Sequence, residues 1–160
     1  MSENLTLQLN RVYKQSRKRV FEAWTTPEQL TQWFAPGPFL AQSAEVDPRQ
    51  GGIFRVVWFG PSPLHGGEMY IRLSGIYRQF VPNELLCFSW NVEADLGEDT
   101  LVTVKFADCE GGTKVSVTQE RIPTEEMLKR NGGGWGSCME KLAVLCEAAE
   151  VGAKAFSGVA

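Results

Sequence analysis

Apolar and polar residues alternate through most of residues 41–121, and a single long helical pattern follows them. The segment 53–59 is a clear example, because Phe54, Val56 and Trp58 fall on one face of an extended chain. Pro, Gly, Asn and Asp residues separate the alternating segments, as expected for turns. Successive segments are close in sequence, which favours antiparallel neighbours. We therefore expect one antiparallel sheet, whose apolar face the helix must cover.

Seven strands are predicted from this alternation, with two short helices after the first strand. The first helix is expected over 17–24, with Ser16 as its N-cap. The second begins at Pro27, where Thr26 and Gln29 are predicted to form a capping box. The strands are expected over residues 5–13, 41–46, 53–59, 68–80, 85–92, 101–107 and 113–121.

The long helix is predicted near the end of the chain. From Trp135 to Ala149, apolar residues recur at helical spacing on one face. The three glycines at 132–134 interrupt this pattern, and each costs roughly 1 kcal/mol in a helix relative to Ala. A break or hinge is expected there. We expect one domain over residues 1–151 and a disordered tail over 152–160.

Composition excludes several classes of function. The formal net charge of −3 argues against a nucleic-acid binder. No run of eighteen apolar residues exists, so no membrane span is expected, and the first ten residues lack the apolar segment of a signal peptide. These features favour a cytoplasmic protein. One His and four Cys without a C-x-x-C pair give no basis for a metal site or a cofactor.

A curved sheet wrapped on one helix often leaves a space between them, and side chains facing the helix would line it. Large aromatic residues mixed with small and polar ones suit a ligand cavity. The alternative for each residue is an ordinary packed core, and Gln119 is the polar exception on its face. The candidate ligand-binding residues are Phe54, Trp58, Trp90, Val104, Val117, Gln119, Trp135 and Met139.

Three charged or titratable features have simpler interpretations than function. Asp47 and Arg49 could meet an anionic ligand head, although a turn salt bridge is the preferred interpretation. His65 lies in a Pro- and Gly-rich loop. It could be part of a lid over a ligand, although a solvated loop residue is the simpler interpretation. The basic residues at 14 and 17–19 could bind an acidic partner or form a solvated face.

An ordered set of residues resembles the activator-of-heat-shock-protein-ATPase homologue family, within the START-like, SRPBCC or helix-grip superfamily. The likeness extends from about residue 5 to residue 149, and it depends on the order of the segments more than on any single motif. The segments are Val20-Phe21-x-Ala23-Trp24-Thr25-x-Pro27-Glu28-x-Leu30-x-x-Trp33, Glu45-x-Asp47-x-Arg49-x-Gly51-Gly52-x-Phe54, Gly75-x-Tyr77, Val81-Pro82-x-Glu84-x-Leu86-x-Phe88-x-Trp90, Val102-x-Val104-x-Phe106, Gly112-Thr113-x-Val115-x-Val117 and Gly134-Trp135.

The resemblance implies an α+β helix-grip fold, in which a curved antiparallel sheet of six to seven strands wraps round the long C-terminal helix and leaves a cavity. Superfamily members bind lipids, sterols or polyketides, and some are cyclases or dehydratases. Two departures remove titratable groups that the family often carries. Gln119 stands where a His is usual, and residues 131–133 are Asn-Gly-Gly where a His or an acidic residue is common. Both weaken an acid–base mechanism.

Three functions stay open at this point. The first is a binding protein for a small hydrophobic or amphipathic ligand. The second is a co-chaperone-type regulator of a heat-shock ATPase, with the chaperone as partner. The third is a cyclase or dehydratase acting on polyketide-like substrates, for which tyrosines or carboxylates in the cavity, for example Tyr70 or Tyr77, would supply the proton chemistry. Enzyme activity is therefore undecided, although the scarcity of titratable residues argues against it, and a homodimer is a further alternative for the partner.

Overall fold

The computed structural model describes residues 4–62, 66–93 and 99–159, with side chains as far as residue 147. Strand bounds agree with the predicted ones to within two residues. In chain order the described elements are β1 (Leu5–Tyr13), α1 (Arg17–Thr25), α2 (Pro27–Trp33), β2 (Leu40–Val46), β3 (Ile53–Pro61), β4 (Glu68–Val81), β5 (Leu85–Val92), β6 (Thr100–Cys109), β7 (Gly112–Ile122) and α3 (Glu125–Val159).

The strands form one antiparallel sheet in the order β1-β7-β6-β5-β4-β3-β2. Strands β2 to β7 follow one another as the predicted meander. The first strand instead pairs with the last, with Leu9 opposite Val117, so α1 and α2 carry the chain from one edge of the sheet to the other. The predicted α+β architecture, with a long C-terminal helix, is confirmed.

A close approach between strands explains the glycine in the middle of β4. A Cβ atom at Gly75 would lie 1.9 Å from the carbonyl oxygen of Ser89 and 2.4 Å from Cε1 of Phe54. No side chain fits there, so the ring of Phe54 lies directly over the β4 backbone. The sequence suggests a bulge or bend at Gly75, but the register between β4 and β5 shifts slightly later, between Tyr77 and Gln79.

The two short helices begin as predicted, although only one N-cap is confirmed. Ser16 accepts a hydrogen bond from the Arg19 amide at 3.2 Å, which caps α1. The predicted capping box of α2 is wrong, because the Thr26 side chain makes no capping bond. Oε1 of Gln29 instead accepts a hydrogen bond from the Arg19 guanidinium at 2.6 Å. The Gln29 side chain therefore ties α2 to α1 and does not cap its own helix.

The predicted break in the last helix is wrong, because α3 runs without interruption through 132–134. Together with Gly136, these glycines cost about 3 to 4 kcal/mol relative to alanine. Three nearby side chains on the buried face, Trp135, Met139 and Leu142, are each at most 3% exposed. Burial of side chains of this size contributes about 1.5 to 3 kcal/mol each, which outweighs the glycine cost.

Helix α3 lies beside β1, β7 and α2, and its buried face meets the apolar side of the sheet. The core between them includes the alternating residues of β3, β6 and β7, as predicted. The backbone of α3 is helical as far as Val159, and the disordered tail expected over 152–160 stays a prediction. Among the described helices, none combines the length and apolar character that a membrane crossing requires.

Candidate functional site

A pocket of about 390 Å³ lies between the sheet and α3. Its walls come from β3, β4 and β5, from the first half of α3, and from residues 36–39 of the loop 34–39 that joins α2 to β2. The size is typical of small-molecule sites, which range from about 300 to 1,000 Å³. The pocket therefore has the dimensions of a site for a small organic molecule.

Three indole rings form much of the wall. Trp58, Trp90 and Trp135 all border the pocket, and the centroids of the Trp90 and Trp135 rings are 5.1 Å apart. Phe34 lies behind them, with its ring 5.9 Å from that of Trp135. Aromatic faces bury large apolar areas and stack on flat ligands. The wall is thus rigid, and it is suited to a flat apolar surface.

Two of these indoles are held in place by hydrogen bonds. Nε1 of Trp58 donates to the carbonyl oxygen of Phe34 at 2.8 Å. Nε1 of Trp135 donates to Oε1 of Gln119 at 2.9 Å. Because Gln119 is itself fully buried and anchored on β7, it positions the Trp135 ring against the sheet. These bonds fix two of the three ring planes that a ligand would meet.

The loop that forms the outer wall is attached to α3 by polar contacts. Nζ of Lys141 donates to three backbone carbonyl oxygens of this loop, those of Ala35, Gly37 and Phe39, at 2.7, 2.9 and 3.2 Å. The Gly37 amide donates to the hydroxyl of Ser137 at 2.9 Å. Hydrogen bonds from a charged group are stronger than neutral ones. The lysine therefore holds the wall of the pocket in a defined position.

The far side of the pocket is a stretch of α3 without side chains. Gly133 and Gly134 both border the pocket. A Cβ atom at Gly133 would meet no atom within 4 Å, whereas one at Gly134 would lie 3.3 Å from Cβ of Pro36. The absence of side chains at these positions leaves room between the helix and the loop. The glycines thus contribute volume to the pocket.

Titratable groups are scarce around the pocket. Burial raises the pKa of the Cys138 thiol to about 12, so this pocket-lining group stays protonated at neutral pH. Neither proposed tyrosine borders the pocket: Tyr70 is 54% exposed, and Tyr77 is buried in the core, where desolvation raises its pKa. Across the described residues, no group of three or more His, Cys, Asp or Glu is arranged to hold a metal ion.

The predicted ligand-binding residues divide into two groups. Trp58, Trp90 and Trp135 border the pocket. The other five lie in the core, four of them as apolar packing residues and Gln119 as the hydrogen-bond partner behind the wall. These five are Phe54, Val104, Val117, Met139 and Gln119, each at most 4% exposed.

Several wall residues were not predicted as part of the site. Phe39 lies in a loop, where periodicity gives no indication of direction. Ile71 and Val92 sit near strand ends, beside the opening. The glycine run is the sequence signal that could have indicated Asn131 and Gly133. Residues without side chains on a helix leave room for a pocket, whereas the sequence pattern alone predicts a hinge there.

The other candidate groups have structural roles. Nε of Arg49 lies 3.0 Å from Oδ2 of Asp47 in an exposed turn, which confirms the turn salt bridge. From the basic run, Arg17 bonds Asp108 at 3.0 Å and the carbonyl oxygen of Asn83 at 3.1 Å. Arg17 therefore connects α1 to the turn between β4 and β5 and to the end of β6. His65 lies outside the described residues.

The sequence of nearly the whole folded region matches a known family. The family model described as Activator of Hsp90 ATPase homolog 1-like protein matches residues 14–147. The chain belongs to this family. The predicted resemblance is thereby confirmed, and the helix-grip architecture agrees with it. None of the curated proteins compared with the chain matches it.

Solved structures agree with the family assignment. The chain is similar to protein CV1439 from Chromobacterium violaceum, with 26% identity and a TM-score of 0.73 over 88% of this chain and 96% of that one. The AHSA1 protein from Silicibacter pomeroyi is 21% identical, with a TM-score of 0.78 over 91% and 99% of the two chains. DynU16, a putative protein in the dynemicin biosynthetic locus, is 18% identical, with a TM-score of 0.66 over 90% of this chain and 48% of that one.

Proposed function

We propose that this chain is a binding protein for a small hydrophobic or amphipathic molecule, held in the pocket between the sheet and α3. The observation that carries the proposal is the pocket of about 390 Å³ with Trp58, Trp90 and Trp135 in its wall. Apolar pockets with a few polar groups are the usual sites of small ligands. DynU16, which has a similar fold, is a putative protein in the dynemicin biosynthetic locus, and this location is compatible with binding of a small molecule.

The chemistry of the wall favours binding over conversion of the ligand. The described lining residues include one thiol, Cys138, and one guanidinium, Arg130, but no carboxylate and no imidazole. General acid–base catalysis needs a group whose pKa lies near the working pH. The protonated thiol does not meet that requirement. We therefore favour a binding role over a cyclase or dehydratase.

A pair of leucine variants tests the proposal. Gly133→Leu adds a large side chain at an exposed residue that borders the pocket, while Gly136→Leu adds the same side chain at an exposed residue that does not. The wild type is titrated with a panel of apolar and amphipathic molecules, with tryptophan fluorescence and thermal stabilisation as readouts. Binding that Gly133→Leu abolishes and Gly136→Leu retains is the expected result. A panel with no hit in the wild type, or equal loss in both variants, would contradict the proposal.

Membership of the family favours a second candidate, a regulator of a heat-shock ATPase. Such a role would use the surface of the domain, so it predicts faster ATP hydrolysis by a purified chaperone when this protein is added. The Gly133→Leu variant separates the two functions, because obstructing the edge of the pocket leaves an interaction elsewhere on the surface intact. Stimulation that survives in this variant would support the chaperone role.

A further inference from the structure

A buried set of amide side chains joins the core to the pocket, and its hydrogen-bond directions are determined by one indole. Nε1 of Trp135 can only donate, and it lies 2.9 Å from Gln119. Gln119 must therefore present its oxygen, Oε1, toward α3. Its amino group then points the other way and donates to Oγ1 of Thr100 at 2.8 Å. The orientation of the Gln119 amide follows from its neighbours.

The same constraint sets the orientation of the next amide. Asn131 borders the pocket, and the nitrogen of its side-chain amide lies 3.4 Å from Oε1 of Gln119. An oxygen at that place accepts only, so Asn131 presents its amino group, Nδ2, to Gln119. Its other atom, Oδ1, has no hydrogen-bond partner among the described residues. This pocket-lining residue therefore carries a carbonyl-type oxygen that is free to accept a hydrogen bond from a ligand.

A donor on strand β5 complements this acceptor on α3. Nε1 of Trp58 and of Trp135 are both used in hydrogen bonds, as described above. The third indole, Trp90, is half-buried and has no hydrogen-bond partner for its N–H in the described part of the chain. A polar group left unpaired at a pocket wall is available to a ligand.

We propose that the ligand is a flat aromatic molecule with a hydroxyl group, which donates a hydrogen bond to Oδ1 of Asn131. A hydroxyl also accepts, so the N–H of Trp90 has a matching partner on such a ligand. Asn131 is thus the residue that sets specificity, and Gln119 is a positioning residue that orients its amide. This inference rests on the proposed ligand-binding function.

Two probes test this assignment, and they differ in one methyl group that replaces the hydroxyl hydrogen. They are 2-naphthol, which donates and accepts, and 2-methoxynaphthalene, which has the same ring system but only accepts. Dissociation constants are measured by calorimetric titration of the folded protein, and the indole N–H signal of Trp90 is followed by NMR. We expect the wild type to bind 2-naphthol about fivefold to tenfold more tightly than the ether. The Trp90 signal should move on binding.

Two asparagine variants complete the design. In Asn131→Leu the preference for 2-naphthol should fall to less than about twofold, while the ether keeps its affinity, because the ether made no hydrogen bond to the acceptor that is lost. Asn10→Leu makes the same exchange at an exposed position of β1, and the preference for 2-naphthol should persist in this variant. The wild-type comparison of the two probes does not depend on any variant folding.

The outcomes separate this inference from the function on which it rests. If both probes bind the wild type equally, the hydroxyl assignment is overturned and a ligand-binding protein remains. If Asn131→Leu keeps the preference, Asn131 is not the acceptor. If neither probe binds the wild type, the hydroxyaromatic ligand class is overturned, and the wider panel with Gly133→Leu then decides whether the ligand-binding function stands.

Discussion

Alanine replacements in the glycine run of α3 test whether these residues serve as space or as a hinge. The helix contains four glycines within five positions, Gly132, Gly133, Gly134 and Gly136, and all have helical backbone. In a regular helix, each replacement by alanine raises the free energy of unfolding by about 0.8 to 1 kcal/mol. In a hinge, alanine brings no such gain.

The surroundings of each glycine predict an order of effects. A Cβ atom at Gly133 or Gly136 meets nothing within 4 Å, so each variant should gain the full helix propensity, about 0.8 to 1 kcal/mol. At Gly132 the new methyl lies 3.5 Å from Cδ1 of Leu7, an ordinary contact that adds a little burial. At Gly134 it lies 3.3 Å from Cβ of Pro36, so the loop must shift and the gain should be smaller.

Urea unfolding followed by far-ultraviolet circular dichroism measures these differences. The expected order of stability is Gly132→Ala at the top, Gly133→Ala and Gly136→Ala equal, and Gly134→Ala lowest. When two variants share the slope of unfolding free energy against urea concentration and differ only in the midpoint of the transition, the difference reports stability alone. No gain, or a loss, for Gly133→Ala and Gly136→Ala would refute the continuous helix and restore the hinge. Gly136→Ala also serves as the control for ligand binding, since it does not border the pocket.

Three further predictions concern the groups around the pocket. Lys141→Met should lower the unfolding free energy by about 1 to 3 kcal/mol and speed proteolysis within 35–39, since three hydrogen bonds to that loop are lost. Gln119→Leu leaves the N–H of Trp135 without its acceptor and should lower the free energy of unfolding in urea by about 1 to 3 kcal/mol. The unfolded Cys138 thiol ionises near pH 9 and the folded one near 12. The contribution of this thiol to the free energy of unfolding is therefore complete below pH 9, and it falls by about 1.4 kcal/mol per pH unit between pH 9 and 12. The Cys138→Ala variant should lack this part of the pH dependence.

Most of the fold follows from the residue pattern, because one buried face per strand produces strict alternation. The core faces of β3, β6 and β7 could be assigned in this way. The continuity of α3 could not, because helix propensity is a local quantity. The cost of its glycines is offset by burial of side chains such as Trp135 and Leu142, which is visible only once the sheet is in place.

The site was only partly predictable for a related reason. Alternation shows which face of a strand a residue occupies, but it does not show which part of that face the helix packs against. Val104 and Val117 share the inward face with the pocket residues, yet the structure buries both completely. Trp90 is half-buried because it stands beside the opening. The position of the loop 36–39 and the hydrogen bonds of Lys141 are tertiary features without a periodic signal.

The pairing of the first strand with the last has a consequence for synthesis on the ribosome. Leu5 lies opposite Ile122 and Tyr13 opposite Thr113, so β1 has no partner until about a hundred further residues have been translated. The hairpins of β2 to β6 pair with close neighbours and are free to form earlier. Throughout that interval the nascent chain exposes β1, and one edge of β6 then stays unpaired until β7 follows it. Such unpaired strands are the parts of a growing chain most in need of protection from aggregation.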